Sequence, residues 1–104
     1  MYPYQDKSLS PEARARDLVR RMSLPEKAAQ TCMLRGVEYA TKPSPKHDCS
    51  VEADTDFYYE KLLSDFGTDG FGFVHDTYAT PAAFNRLQRH FVESSRWGIP
   101  VIFT

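Results

Sequence analysis

Several groups of side chains in this sequence have types and spacings that chemistry could use. His47, Asp48 and Cys49 place three kinds of metal ligand in a row, and Asp48, Glu52, Asp54 and Asp56 repeat carboxylates along one short segment. Adjacent residues rarely converge on one tetrahedral ion, no second ligand pair follows at finger-like spacing, and no calcium-loop glycine frames the acids. A solvated acidic loop is the simpler reading, and no metal or other cofactor is expected. His75-Asp76 is the strongest local candidate. It falls at the carboxyl end of an expected strand, where sites of parallel sheets form; the competing reading is a histidine hydrogen-bonded to its own loop. Gly67, Gly70 and Gly72 imitate a phosphate loop in composition only, because they precede a strand, whereas a nucleotide fingerprint follows one and opens a helix. Arg14, Arg16, Arg20 and Arg21 could face a nucleic-acid backbone, but aromatics do not interleave them and a solvated helix face accounts for them. By motif, no residue is assigned a catalytic role.

The elements that must position these groups can be read from their punctuation. Ser10-Pro11-Glu12 supplies a capping hydroxyl, a proline suited to the first helical position and an acid favoured by the helix dipole, so a helix starts there. Its stripe of Ala15, Leu18, Val19 and Met22 should pack while the arginines solvate. Ser23-Leu24-Pro25-Glu26 has the form of a capping box and opens a second, shorter helix running to about Gln30. Thr31 to Val37 is a short, mostly apolar segment expected to form a first strand buried on both faces. Residues 41–54 are rich in proline, serine and acids and describe a surface loop. Phe57, Tyr58, Lys61, Leu62 and Phe66 predict an amphipathic helix ended by Gly67, and Phe71 to His75 a second strand. Thr80-Pro81 starts a helix that keeps its period through Arg96; Gly98 supplies a left-handed stop, and Val101 to Thr104 a third strand.

Composition bounds what such a chain can be. Its 104 residues fit one core at most, and 41% hydrophobic with 26% charged residues is too apolar for general disorder. Net charge is −1, with no general pull toward nucleic acid or an anionic membrane, and no apolar run approaches the roughly 20 residues of a membrane span. Met1 to Asp6 lacks the basic and apolar regions of a secretory signal, so a cytoplasmic protein is expected. Cys32 and Cys49 are too few for a disulfide scaffold and read as reduced thiols.

Strand, helix, strand, helix, strand is the order of a parallel α/β sheet. The motifs in sequence resemble the opening of family 3 glycoside hydrolases: Gln5-Asp6-Lys7-Ser8-Leu9-Ser10-Pro11-Glu12 with Arg16-Asp17-Leu18-Val19, then Arg21-Met22-Ser23-Leu24-Pro25-Glu26-Lys27. Asn85-Arg86-Leu87-Gln88 and Glu93-Ser94-Ser95-Arg96-Trp97-Gly98-Ile99-Pro100 resemble the helix and strand that follow there. The resemblance covers nearly the whole chain, is weakest over residues 38–56, and draws its specificity from the order of several motifs. It implies a partial (β/α)8 barrel: residues 1–30 a helical extension, residues 31–104 the first βαβαβ segment. The implied reaction is retaining hydrolysis of a terminal β-linked sugar, a β-glucoside or β-xyloside. Such a barrel takes about 250 residues, so the rest of the barrel is expected to be missing here.

The resemblance also implies where the chemistry lies. A retaining glycosidase sets two carboxyl groups about 5–5.5 Å apart across the anomeric carbon. The family's nucleophilic aspartate sits on a later strand, and its acid/base usually beyond the barrel, so the 104 residues alone should hydrolyse nothing. A second expectation, from a different class, is a complete small α/β binding or interaction module; a third is a metal-binding regulator built on His47 and Cys49.

Overall fold

A computed structural model of the chain describes residues 1–46, 49–67 and 70–104. Three of the described α-helices begin where a side chain satisfies a backbone N–H group that has no partner within the helix. Helix α1 (Pro11–Arg21) starts on Ser10, whose Oγ accepts from the Ala13 N–H at 3.2 Å. Helix α2 (Leu24–Gln30) starts on a reciprocal box: Ser23 Oγ accepts from the Glu26 N–H at 3.3 Å, and the Glu26 carboxylate accepts from the Ser23 N–H at 2.6 Å. Helix α3 (Tyr59–Phe66) ends on Gly67 at φ +73°, and α4 (Pro81–Ser94) starts on Thr80. Gly98 has φ +63°, the left-handed turn expected between the last helix and strand.

Three short strands, β1 (Met33–Arg35), β2 (Phe73–His75) and β3 (Ile102–Phe103), form a parallel sheet in the order β1-β2-β3. Sequential order places every crossover between neighbouring strands. Met33 is in register with Phe73 and Phe73 with Ile102; Leu34 pairs with Val74, and Val74 with Phe103. The described residues thus form a small α/β domain of four α-helices and a three-stranded parallel sheet. Among the described residues no helix is long and apolar enough to cross a membrane.

The two faces of this sheet differ. Leu34 and Val74 join one buried cluster with Leu62 of α3 and with Ala83, Leu87 and Phe91 of α4, while Phe103 packs at its margin. Both crossover helices therefore cover the same face. Side chains alternate along a strand, so Met33, Phe73 and Ile102 emerge on the opposite face, where Met33 and Ile102 remain 57% and 55% exposed. Strands buried on both faces were expected from their apolar content; among the described residues only one face is covered by helices, and alternation accounts for the difference.

The amino-terminal end corrects a second expectation. In α1 no residue is fully buried, and Val19 is 49% exposed, so the stripe of Ala15, Leu18, Val19 and Met22 does not pack as a unit. Helix α1 instead turns toward a short arm. Arg14 donates to the Tyr4 carbonyl at 2.8 Å, the Tyr4 N–H donates to Asp17 at 3.1 Å, and the Tyr4 hydroxyl donates to the Trp97 carbonyl at 3.3 Å. The molecule is accordingly elongated, 45 × 26 × 20 Å, with a radius of gyration of 14.8 Å against about 13 Å for a compact chain of this size.

Candidate functional site

The carboxyl ends of β1 and β2 carry a cluster of charged side chains. Arg35, the last residue of β1, is in register with His75, the last of β2, and both follow the parity of the uncovered face. The Arg35 guanidinium lies 3.6 Å from Asp76, 3.5 Å from Glu38 and 3.7 Å from the Cys49 sulfur, to which it donates. His75 Nδ1 is 3.3 Å from the same Asp76 oxygen that faces Arg35. The Cys49 sulfur first, then Asp76 and Glu38, hold the guanidinium proton above its ordinary affinity.

Local sequence explains how these groups meet. Gly36 ends β1 under the loop that follows β2, and a Cβ there would lie 2.0 Å from Thr77 Oγ1 and 2.7 Å from Val74 Cγ1. The missing side chain lets the two strand ends close. From the other side, the excursion between Ala40 and Phe57 closes on itself through antiparallel bridges at Ala40–Phe57 and Pro43–Val51. Its floor is Thr55, fully buried, whose Oγ1 accepts from the Lys42 N–H at 3.1 Å. That fold returns Cys49 to the sheet, where its carbonyl accepts from the Tyr78 N–H at 3.0 Å and Ser50 forms a parallel bridge with Tyr78.

Backbone conformation sets this region apart. Among the described residues the non-glycine positions with positive φ are Cys49, at +62°, and Asp76, at +52°, and both touch Arg35. Elsewhere the left-handed positions are Gly67, Gly70 and Gly98. Holding a side chain where glycine would relax costs on the order of 1 kcal/mol, and such positions cluster at functional sites.

Of the residues singled out by sequence, His75 and Asp76 lie at the carboxyl end of β2 as expected and join this cluster. Cys49 joins it too, as a partner of Arg35; His47 and Asp48 lie outside the described residues. Glu52 is exposed, Asp54 pairs with Lys42, and Asp56 accepts from the Tyr59 hydroxyl at 2.8 Å, so these acids do not converge. Among the described residues no group of three or more His, Cys, Asp or Glu side chains is placed to hold a metal ion. Gly70 leaves room for Phe91, and a Cβ on Gly72 would strike the Gln30 carbonyl at 1.9 Å, so both serve packing. Arg14 and Arg21 fasten the arm and α1 rather than facing a ligand: Arg21 reaches Asp17 at 2.9 Å and lies over the Tyr2 ring. Arg35 is the residue that sequence reasoning passed over, because it lay inside an expected buried strand. The available signal was a lone cation in the apolar run TCMLRGV, followed directly by glycine.

No known protein-family model matches the chain, and no curated protein matches it.

Proposed function

We propose that this chain is the amino-terminal part of a family 3 type retaining β-glycosidase, acting on terminal β-glucosides or β-xylosides, and that it contributes the first three strands of a (β/α)8 barrel. Its role here is architectural, and the nucleophile and acid/base come from residues outside these 104. The ordered motifs from Gln5 to Lys27 and from Asn85 to Pro100 supply the family. The observation that carries the reading is the uncovered face of the sheet. Strands in sequential parallel order bear both helices on one face, and on the other an apolar row of Met33, Phe73 and Ile102 leads along the strand direction to Arg35 and His75. A barrel interior has this grain: apolar layers fill its centre, and polar groups stand at the carboxyl mouth.

The test has two arms. Reading the coding region past Thr104 is expected to give an acidic residue soon followed by His-Gly, the family's next motif; a stop codon there, or unrelated sequence, overturns the proposal. In the second arm, the purified 104-residue chain is expected to leave chromogenic β-glucosides and β-xylosides uncleaved and to bind an apolar-surface dye on its uncovered face. Turnover by the pure chain refutes the division of labour. A monomer that melts sharply and reversibly and binds no dye favours the self-contained interaction module instead.

A further inference from the structure

Helices α3 and α4, which cover one face of the sheet, leave between them a cavity of about 260 Å³ that no part of the barrel reading uses. It is smaller than a drug-sized site and has room for one ring with a short chain. Leu62 and Phe91, both buried in the core, line it, and Leu63 stands in it 51% exposed. The rings of Tyr59 and His90 add an aromatic wall, paired at 4.5 Å between centroids, with the Tyr59 hydroxyl fixed on Asp56 at 2.8 Å. Such walls take an apolar body. The rim decides its charge. Glu60 lies at the start of α3, exposed and without an ion pair among the described residues. Lys61 beside it, the one lysine or arginine between Asp48 and Asp76, is engaged elsewhere: its Nζ lies 4.3 Å from the Tyr39 ring centroid and donates to the Glu38 carbonyl at 3.3 Å. At the far end the cavity meets the carboxyl termini of both helices, at Gly67 and at Ser94 and Ser95, which bring carbonyl groups and the negative ends of the helix dipoles. The Gly67 N–H is spent on the Leu63 carbonyl, and the Ser95 hydroxyl on the Phe91 carbonyl at 2.5 Å. The lining is rich in acceptors and short of donors, so a ligand must bring the donor and the positive charge itself.

We propose that this cavity is a binding site for a small apolar amine, a single ring or short hydrocarbon body carrying a primary ammonium group. The body lies against Leu62, Leu63 and Phe91, and the ammonium is held at the rim by the Glu60 carboxylate. An anion finds no seat there, because the groups at both ends repel it. The site stands on the helical side of the sheet and rests on no property of a glycosidase.

The experiment is a titration of the 15N-labelled 104-residue chain with phenethylamine, followed by backbone amide NMR. Phenethyl alcohol and phenylacetate are separate titrants that carry the same ring with no charge and with the opposite one. Saturable shifts from Tyr59 to Gly67 and from His90 to Ser95 are expected with the amine, weaker ones with the alcohol and none with phenylacetate. Glu60→Gln keeps the shape of an exposed side chain that pairs with nothing, so it leaves the fold intact. It is expected to weaken the amine about fivefold, the scale of one exposed ion pair, and to leave the alcohol unchanged. Leu63→Ala removes part of the apolar wall and is expected to weaken amine and alcohol together, by about threefold. The proposal is overturned if the amine gives no saturable shifts, if its shifts fall instead on the uncovered sheet face at Met33, Phe73 and Ile102, if phenylacetate binds as well as the amine, or if Glu60→Gln binds the amine like the parent. Failure here leaves the coding-region test of the barrel reading intact, and failure there leaves the titration standing.

Discussion

Two arginines at opposite ends of the sheet are used in opposite ways. Arg96 reaches back to Glu26 at 2.8 Å, a carboxylate only 3% exposed that also accepts from the Ser23 N–H, so one bond ties α2 to the turn after α4. The indole N–H of Trp97 bears on the same carboxylate without reaching full hydrogen-bond geometry, and Arg96 itself lies over the Trp97 ring at 4.5 Å. Arg35 faces two exposed carboxylates and a sulfur, none closer than 3.5 Å. At the amino-terminal end both oxygens of the Glu26 carboxylate are spent on holding helices, one on the Ser23 N–H and one on Arg96. At the carboxyl end the contacts sit on a strained backbone. The sheet is thus fastened at its amino-terminal end by a short bond to a buried carboxylate and lined at its carboxyl end by long, exposed contacts.

The comparison is broken most sharply at the two glycines that close these ends. Gly72→Ala drives a Cβ to 1.9 Å from the Gln30 carbonyl, backbone that cannot step aside, and is expected to cost about 3 kcal/mol or prevent folding. Gly36→Ala meets Thr77 Oγ1 and Val74 Cγ1, side-chain atoms that can rotate, so it should cost less, about 2 kcal/mol, and perturb the mouth. Urea denaturation of both variants orders them; equal losses would contradict the distinction between a fixed base and a yielding mouth.

Next in size is the base latch. Glu26→Ala strips the Ser23 cap and the Arg96 contact together and is expected to lose about 2 kcal/mol. Burial opposes the Glu26 charge, but Trp97, the Ser23 N–H and Arg96 outweigh it and hold the carboxyl below its ordinary value of 4.5. A depressed carboxyl contributes stability that is present above that ordinary value and lost as pH falls through the lower, folded one. Acid titration of stability should therefore be flatter in Glu26→Ala than in the parent chain; an unchanged acid limb would remove Glu26 from the account.

What could be read beforehand was local. Ser10, Ser23 and Thr80 cap helices because their hydroxyls meet N–H groups within three residues, and Gly67 and Gly98 stop elements by their own φ. The expected strands were longer than the observed ones, since Thr31, Cys32, Phe71 and Gly72 continue the apolar pattern while lying outside the three-residue ladders. The helix through Arg96 stops at Ser94, where Ser95 Oγ bonds back to the Phe91 carbonyl. The packing of α1 was misjudged because a helical stripe says which residues can be buried, not whether a partner exists; here the partner is the arm at Tyr4. Half of the candidate site was legible for the same local reason. His75-Asp76 follows a strand, whereas Arg35 and Cys49 reach it through register and through an excursion whose return no periodicity encodes.

A smaller effect distinguishes the helical face from the mouth at high pH. Burial first, and then its 2.6 Å hydrogen bond to Asp65, push the Tyr39 phenol up to about 12 from 10.0. A raised phenol contributes stability that is complete below 10.0 and disappears as pH climbs through about 12. Tyr59 shifts the same way, through burial and then Asp56. Tyr39→Phe is expected to cost about 1 kcal/mol at neutral pH and to shallow the alkaline limb, measured by denaturation from pH 9 to 12. An alkaline limb as steep as the parent's would assign it to Tyr59 alone.

The smallest expected effect on stability is the one that sharpens the comparison most. Arg35→Ala removes a guanidinium that is half exposed and whose contacts are all long, so nothing buried is left without a partner. Its urea midpoint should coincide with that of the parent chain, in contrast to Arg96→Ala, which leaves the buried Glu26 carboxylate without its cation and should fall measurably. Salt separates the two further. Screening reaches the exposed Arg35 contacts and hardly touches a carboxylate enclosed by Ser23, Trp97 and Arg96, so the deficit of Arg96→Ala should persist at high ionic strength. If Arg35→Ala proved as damaging as Arg96→Ala, the mouth cluster would be a second latch, its hydrogen-bonding capacity already committed to the fold.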